Sequence, residues 1–346
     1  MSRRHTTIDD VAEAAGVSKS TVSRALNNTS RISSETRDRI LKIAEDLNFE
    51  PSHIARSLST RKTRTVGVLV EDIVNSFFTE VAKGVETVLK KAGYTMLLTS
   101  SDYDLEEEFR LTQVLVRNKV DGVLITPIQE DSKAIEFLKS RHVPFFVMNN
   151  KSDDPAVSWV DTENVEGGYI GAKYLIEQGH RRMMYIGSKK IRGTRERFAG
   201  FKKALKEKGI DLQEQRIIWD INTQREAHEM MNSYLDEGGV SNLPTAVMTV
   251  NDAVAIGVME SLLEHKISIP KDISLLGFDD INIAGLIKVP LTTVHQPKFS
   301  MGEVASHVLI NTIEGQARAS AQQFLLKPHL VVRESCRQLE DTEIEQ

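Results

Sequence analysis

Hydrophobic and polar positions change rhythm once along this chain, near residue 65. Before that point apolar residues recur at helical spacing in three short stretches. Ile8, Val11, Ala12 and Ala15 fall at i, i+3, i+4 and i+7, one face of a first helix. Thr7 stands at its N-cap, and Asp10 at the third helical position completes a capping box. Gly16-Val17-Ser18 predicts a tight turn, since glycine takes the left-handed conformation that ends a helix and Ser18 caps the next one. The second helix buries Val22, Ala25 and Leu26 and turns Lys19, Ser20, Ser23, Arg24 and Asn27 outward. A third starts near Ser33, carries Glu35 in its first turn and buries Ile40, Ile43, Ala44 and Leu47.

Pro51 breaks this pattern, and residues 52–64 are polar and basic with Ile54, Ala55 and Leu58 as apolar anchors, which predicts a hinge. From Thr65 short apolar runs alternate with amphipathic helical stretches. The runs are 65–70, 95–99, 122–126, 144–148, 183–187, 246–250 and 273–277. Such alternation predicts parallel strands joined by right-handed helical crossovers. So many strands are too many for one sheet of ordinary size, so two lobes are expected, dividing near Asp161. The expected fold class is an all-α domain over 1–50, a hinge over 51–64, and an α/β domain of two doubly wound parallel-sheet lobes over 65–346.

The overall charge of −5 hides a reversal of sign. Residues 1–64 hold 12 Lys/Arg against 8 Asp/Glu, giving +4, and the remaining 32 against 41 give −9. A basic head on an acidic body suits a chain in which only the head approaches a polyanion. The lone cysteine, Cys336, can form no intrachain disulfide and no paired thiolate site for zinc or an iron–sulfur cluster, so no metal or cofactor is expected. The start, Ser2-Arg3-Arg4-His5, runs into Ile8-Asp9-Asp10 and not into an apolar stretch. No segment has the length of a membrane span, and a cytoplasmic protein with no membrane partner is expected. Enzyme signatures are missing: there is no G-x-S-x-G elbow, no phosphate loop, no dinucleotide fingerprint and no H-E-x-x-H pair.

The segment Thr7-Ile8-Asp9-Asp10-Val11-Ala12-Glu13-Ala14-Ala15-Gly16-Val17-Ser18-Lys19-Ser20-Thr21-Val22-Ser23-Arg24-Ala25-Leu26-Asn27 closely resembles the helix-turn-helix of the lactose-repressor/galactose-repressor family. Small polar and basic side chains near the start of a second helix suit the major groove of double-stranded DNA. The resemblance implies base reading by Lys19, Ser20 and Arg24, with Thr7, Ser18, Thr21, Ser23 and Asn27 also at the interface. Residues 49–58 are similar to the family's hinge helix, which is too short to be stable alone in water. There the resemblance places His53, Ala55 and Leu58 on DNA, Leu58 as a wedge in the minor groove. His53 stands where the family usually has asparagine.

The body resembles the family's periplasmic-binding-protein-like core as far as Glu334. The likeness runs through Val66–Val70, Asn75–Phe78, Glu166–Gly168, Arg197–Phe201, Asn251-Asp252, Gly277–Asp280 and Thr292–Pro297, although Ser76 replaces a usual proline. It implies lobe crossings near 161, 292 and 325 and a ligand cleft at the carboxyl ends of the strands. Arg197, Asn251 and Asp279 fall where the family clamps its effector, with Phe77, Asn149 and Asp161 on the cleft wall. Asn149 departs from the aspartate common in sugar-binding members. A carboxylate that accepts and an arginine and asparagines that donate suit a polar ligand, a sugar or sugar derivative above all.

Seven basic residues crowd 181–197: Arg181, Arg182, Lys189, Lys190, Arg192, Arg195 and Arg197. If several face the cleft, the effector carries phosphate or carboxylate. The resemblance implies a homodimeric repressor on a near-palindromic operator. It leaves open whether the effector is an inducer or a corepressor. Glu166–Tyr169 and His295–Pro297 also resemble the purine repressor, and a phosphocarrier protein is a third class of regulator. A solute-binding protein or an enzyme on the same fold are the remaining alternatives.

Overall fold

A computed structural model of the chain describes residues 6–26, 32–49, 62–238, 242–316 and 320–340. It divides into two units, 1–64 and 65–346, each with its own core. The first unit holds α1 (Ile8–Ala15), α2 (Lys19–Leu26) and α3 (Ser34–Asp46). Thr7 accepts from the Asp10 amide while the Asp10 carboxylate accepts from the Thr7 amide at 2.7 Å, so the expected capping box forms. Gly16 ends α1 at φ 64°, and Val11, Val22, Ala25 and Ile40 meet in a small core. Truncating a side chain as enclosed as Ile40 to alanine costs about 2–5 kcal/mol. Ile43 and Leu47, expected inside, are only partly buried at the margin of this core.

In the second unit, β1 (Thr65–Val70), β2 (Thr95–Ser100), β3 (Gly122–Ile125), β4 (Phe145–Met148), β5 (Trp159–Thr162) and β11 (Gln323–Leu326) form one sheet in the order β11-β5-β4-β3-β1-β2. All its pairs are parallel. A second sheet takes β6 (Met183–Ile186), β7 (Ile217–Ile218), β8 (Ala246–Thr249), β9 (Ser274–Asp279), β10 (Thr292–His295) and β12 (His329–Val331) in the order β12-β10-β9-β8-β6-β7. Only the β10–β12 pair is antiparallel among these described strands. Central strands such as Val66–Val70, β6 and β8 are apolar throughout because helices cover both faces of the sheet. The strands absent from the apolar-run pattern are β5, β7, β10, β11 and β12. They are short or carry Asp161, Thr292 and Thr293, which interrupt the run.

The helices of this unit are α4 (Ser76–Lys91), α5 (Leu105–Arg117), α6 (Lys133–Ser140), α7 (Asn164–Glu177), α8 (Arg192–Glu207), α9 (Gln224–Asp236), α10 (Asp252–Glu264) and α11 (Lys298–Ile313). The chain passes between lobes after β5 into α7, after β10 into α11, and between β11 and β12. Thr292 opens β10, so the crossing expected near that residue comes only after His295. Helices α7 and α8 approach closely because Gly168 and Gly200 carry no side chain. A Cβ on Gly168 would lie 1.9 Å from the Arg197 carbonyl oxygen, and one on Gly200 1.9 Å from that of Val165. That approach sets the position of Arg197, whose guanidinium carbon lies 3.9 Å from the Phe278 ring centroid. Among the described residues, no helix is long and apolar enough to cross a membrane.

Candidate functional site

On the first unit, Ser18, Lys19, Ser20 and Arg24 are exposed along α2, with Thr21 and Ser23 half-buried between them. The Ser18 hydroxyl lies 2.8 Å from that of Ser20 and 2.9 Å from that of Thr21, a polar cluster at the start of the helix. Lys19 pairs with Asp9 at 2.5 Å, with both side chains more than half exposed. An ion pair this open is worth at most about 1 kcal/mol, so Lys19 can exchange its partner for a phosphate or a base edge. Thr7 is occupied in capping α1. Asn27, His53, Ala55 and Leu58 lie outside the described residues.

On the second unit a cleft of about 470 Å³, part of it open to solvent, lies between the lobes where β1, β4, β8 and β9 end. Carboxyl ends of parallel strands collect ligands because main-chain groups and loop side chains converge there. Of the residues expected in it, Phe77, Asn149, Arg197, Asn251 and Asp279 line it. Asp161 does not. It is buried behind the wall, where it accepts from the Thr162 amide at 2.7 Å and from Asn164 Nδ2 at 3.3 Å. Burial raises its pKa to about 6. Its part is to hold Asn164, which does line the cleft.

Arg197 is fixed on three sides. Its Nε donates to Asn164 Oδ1 at 2.9 Å, and its Nη1 donates to the Val250 carbonyl at 2.6 Å and lies 3.5 Å from Asp279 Oδ1. Asp279 also accepts from Gln296 Nε2 at 2.6 Å, and it sits at φ 112°, with Asp280 following at φ 55°. Such backbone costs on the order of 1–3 kcal/mol per residue and persists only where surrounding contacts hold it. Burial raises the Asp279 pKa, opposed by Arg197. Beneath it, Asp252 accepts from the Thr293 hydroxyl at 2.6 Å and the Ile281 amide at 2.8 Å. Burial, then repulsion from Asp279, pushes Asp252 up to about 8. Asn251 caps α10, accepting from the Val254 amide at 2.8 Å.

The basic run is spent elsewhere. Of its seven residues only Arg197 lines the cleft. Arg192 bridges Glu130 at 2.8 Å and Asp153 at 2.6 Å, and Arg195 also reaches Glu130. Lys189 lies 4.9 Å from the Trp219 ring centroid, Arg181 donates to the carbonyls of Ile176 and His180, and Arg182 and Lys190 are exposed. Glu130 and Asp153 belong to the first lobe and α8 to the second, so these pairs latch lobe to lobe, as does Lys151 with Glu196 at 2.6 Å. The condition set for a phosphate- or carboxylate-bearing effector, several of these residues facing the cleft, is not met: the single guanidinium there is already matched by Asp279.

The cleft also gains residues not anticipated from sequence, among them Glu71, Tyr103, Asn164, Thr194 and Gln296. Glu71 directly follows the apolar run of β1, which is a signal in itself, since strand ends carry sites. Tyr103 sits in a loop and carried no such signal.

The chain matches bacterial regulatory proteins of the lacI family over residues 7–52 and a periplasmic binding protein-like domain over 172–336. It is 33% identical over 335 residues to the HTH-type transcriptional repressor PurR of Photobacterium profundum, covering 96% of this chain and 99% of that protein. The chain belongs to the lacI family. It is a DNA-binding transcription regulator of the repressor type, and its fold agrees with that of other lacI-family regulators. The lac repressor dimer bound to operator and the anti-inducer ONPF superposes with a TM-score of 0.85 at 25% identity, covering 96% of this chain and 100% of that one. The CelR–cellobiose complex gives 0.71 at 28% identity with the same coverage of both chains.

Proposed function

We propose that this lacI-family protein is a homodimeric repressor whose affinity for a near-palindromic operator is set by a small polar effector bound between its lobes. The observation that carries this reading is the convergence of Arg197, Asn251 and Asp279 in one buried interlobe cleft, on a chain that also exposes Lys19, Ser20 and Arg24 along one short helix. In this reading Lys19, Ser20 and Arg24 read base edges, while Ser18, Thr21 and Ser23 contact the backbone. Asn27 and the hinge residues His53, Ala55 and Leu58 complete the interface. Arg197, Asn149 and Asn251 orient the effector, Asp279 accepts from it, and Phe77 supplies an apolar wall. Asp161 acts through Asn164.

The effector is a sugar or sugar derivative, in keeping with the cellobiose complex of CelR and the polar lining of the cleft. A purine is the second reading, favoured by the PurR relative and by the Phe77 and Phe78 rings in the cleft. The cleft binds without transforming its ligand, because Arg197 and Asp279 are held by each other and by Asn164, Val250 and Gln296. The protein works in the cytoplasm, where its DNA is.

Capture of genomic fragments by the purified protein at several salt concentrations tests the reading. A palindromic site whose affinity falls steeply with salt supports it. Enrichment of no site in the presence or absence of sugars and purines contradicts it.

A further inference from the structure

Among the described residues, Glu71 is the one charged group of the cleft that the rest of the site leaves unpaired. It follows β1, is 4% exposed and lines the cleft, yet its carboxyl group makes no hydrogen bond or ion pair among the described residues. Its neighbours are spoken for. Arg197 is held by Asn164, Val250 and Asp279. Asn251 caps α10, Asn75 accepts from the Phe77 amide at 3.0 Å, and Thr194 donates to the carbonyl of Ser188.

Two acceptors are left over beside the side-chain amide of Asn149. Gln296 gives its Nε2 to Asp279 and leaves Oε1 buried with no partner. The unfilled capacity at Glu71 and Gln296 is acceptor capacity, and for the buried Gln296 Oε1 the missing donor costs about 1–3 kcal/mol. The charge balance points the same way. Arg197 and Asp279 offset each other, so an ionised Glu71 is an uncompensated buried anion, a state that proteins avoid. The charged and titratable groups around it are Glu108, Asp72 and Asp279, with Arg197 the one opposing cation and Tyr103 alongside. Burial above all, then the Glu108 carboxylate, raises its pKa well above the ordinary range. A ligand that brings its own positive charge and several donors supplies both missing quantities at once. A neutral polyol supplies donors only, and an anion supplies neither.

We propose that Glu71 determines specificity in this cleft and that the effector carries a positively charged nitrogen, an amine or amidine, which pairs with the Glu71 carboxylate and reaches Gln296 Oε1. The proposal rests on the reading of the cleft as the effector site. The pair forms as a charge-assisted hydrogen bond in a low-dielectric site. The recognised class includes amino sugars and other small amines. Acetylation of the nitrogen removes both the charge and two of the donors.

The test uses the full-length protein and matched probes: glucosamine, N-acetylglucosamine and glucose; putrescine and N,N′-diacetylputrescine. Thermal shift and calorimetry are read on the wild type and on Glu71→Gln, whose fold is checked by circular dichroism. The expected result is that at least one amine binds at least tenfold more tightly than its acetylated or neutral counterpart. Glu71→Gln then removes that preference. Glucose or an acetylated counterpart binding as well as the amine, or an amine binding Glu71→Gln undiminished, overturns the proposal and leaves the cleft reading standing. No response to any probe counts against the cationic effector. The same silence, with operator affinity unaltered in Arg197→Ala, overturns the cleft reading as well.

Discussion

Lys298, at the first turn of α11 in one lobe, donates its ammonium to the main-chain oxygen of Asp279 in the other lobe at 2.6 Å, and to that of Asp280 at 2.9 Å. Its side chain is wholly buried, and Glu80 Oε2 lies 3.5 Å away on the first lobe. A cation held inside a crossing between lobes fixes the backbone of the very residue that faces the cleft. It also explains how Asp279 keeps its positive φ. Lys298→Met takes the ammonium from both carbonyls, leaving that of Asp279 only the Gln296 amide at 3.4 Å, and is expected to cost about 1.5–3 kcal/mol in urea unfolding, with effector binding weakened in the same variant. Unfolding indistinguishable from wild type would remove Lys298 from this role.

Asp252 gives the second unit an unusual dependence on pH. An unfolded aspartate ionises near about 3.9, while burial keeps the folded one protonated up to about 8. Between those values the folded state binds the extra proton, so this contribution is complete at the acid end and is lost as pH rises toward 8. Glu71, Asp161 and Asp279, all raised by burial, act in the same direction. Asp280 does not interfere. Burial works against its ionisation, but bonds from His295 and Arg333 hold it down at about 2, so its contribution is lost only in stronger acid. Denaturation midpoints should therefore fall from mildly acid to mildly alkaline pH. Asp252→Asn should flatten that slope, and a wild type that gains stability over the interval would contradict the assignment.

The latch between lobes predicts a conformational effect. Arg192 is only 17% exposed and shares Glu130 with Arg195. Glu130→Lys should open the cleft, and adding Arg192→Glu should close it again. Energy transfer between one label on each lobe, in a Cys336→Ser background, reads the opening directly. High salt should mimic the single variant in part, since at about 1 M screening acts within roughly 3 Å. Equal transfer in all three proteins would show that the pairs are ornamental.

Much of this was legible in the sequence, and the limits have physical causes. The capping box at Thr7 and Asp10, the turn at Gly16 and the strands from Val66 to Gly277 follow from local rules, because each depends on residues a few positions apart. Strands β5 and β10 escaped because Asp161, Thr292 and Thr293 break their apolar runs while being buried through long-range hydrogen bonds. The run from Arg181 to Arg197 misled for the same reason. Charge is visible in a sequence, but the carboxylates that neutralise it, Glu130 and Asp153, are about forty residues or more away. Gln296 and Tyr103 reached the cleft through the meeting of two lobes, which no local pattern encodes, whereas Glu71 had its place at the end of the β1 run.

For the head, Lys19→Ala and Arg24→Ala are each expected to weaken operator binding by roughly 5- to 150-fold, about 1–3 kcal/mol, and to relax selectivity at the bases they contact. Leu58→Ala should lower affinity without changing the preferred half-sites. Selection from a randomised operator pool with each variant distinguishes the two effects. Unchanged affinity in all three variants would remove these side chains from the interface.

The central claim is that occupancy of the interlobe cleft sets the affinity of the head for DNA. The most direct measurement is the dissociation constant of the full-length protein for its captured operator, with and without a saturating ligand already shown to bind the cleft through its loss in Arg197→Ala. A coupling of about 1–3 kcal/mol predicts a change of roughly 5- to 150-fold, in either direction. An identical constant with the cleft filled and empty would contradict the account.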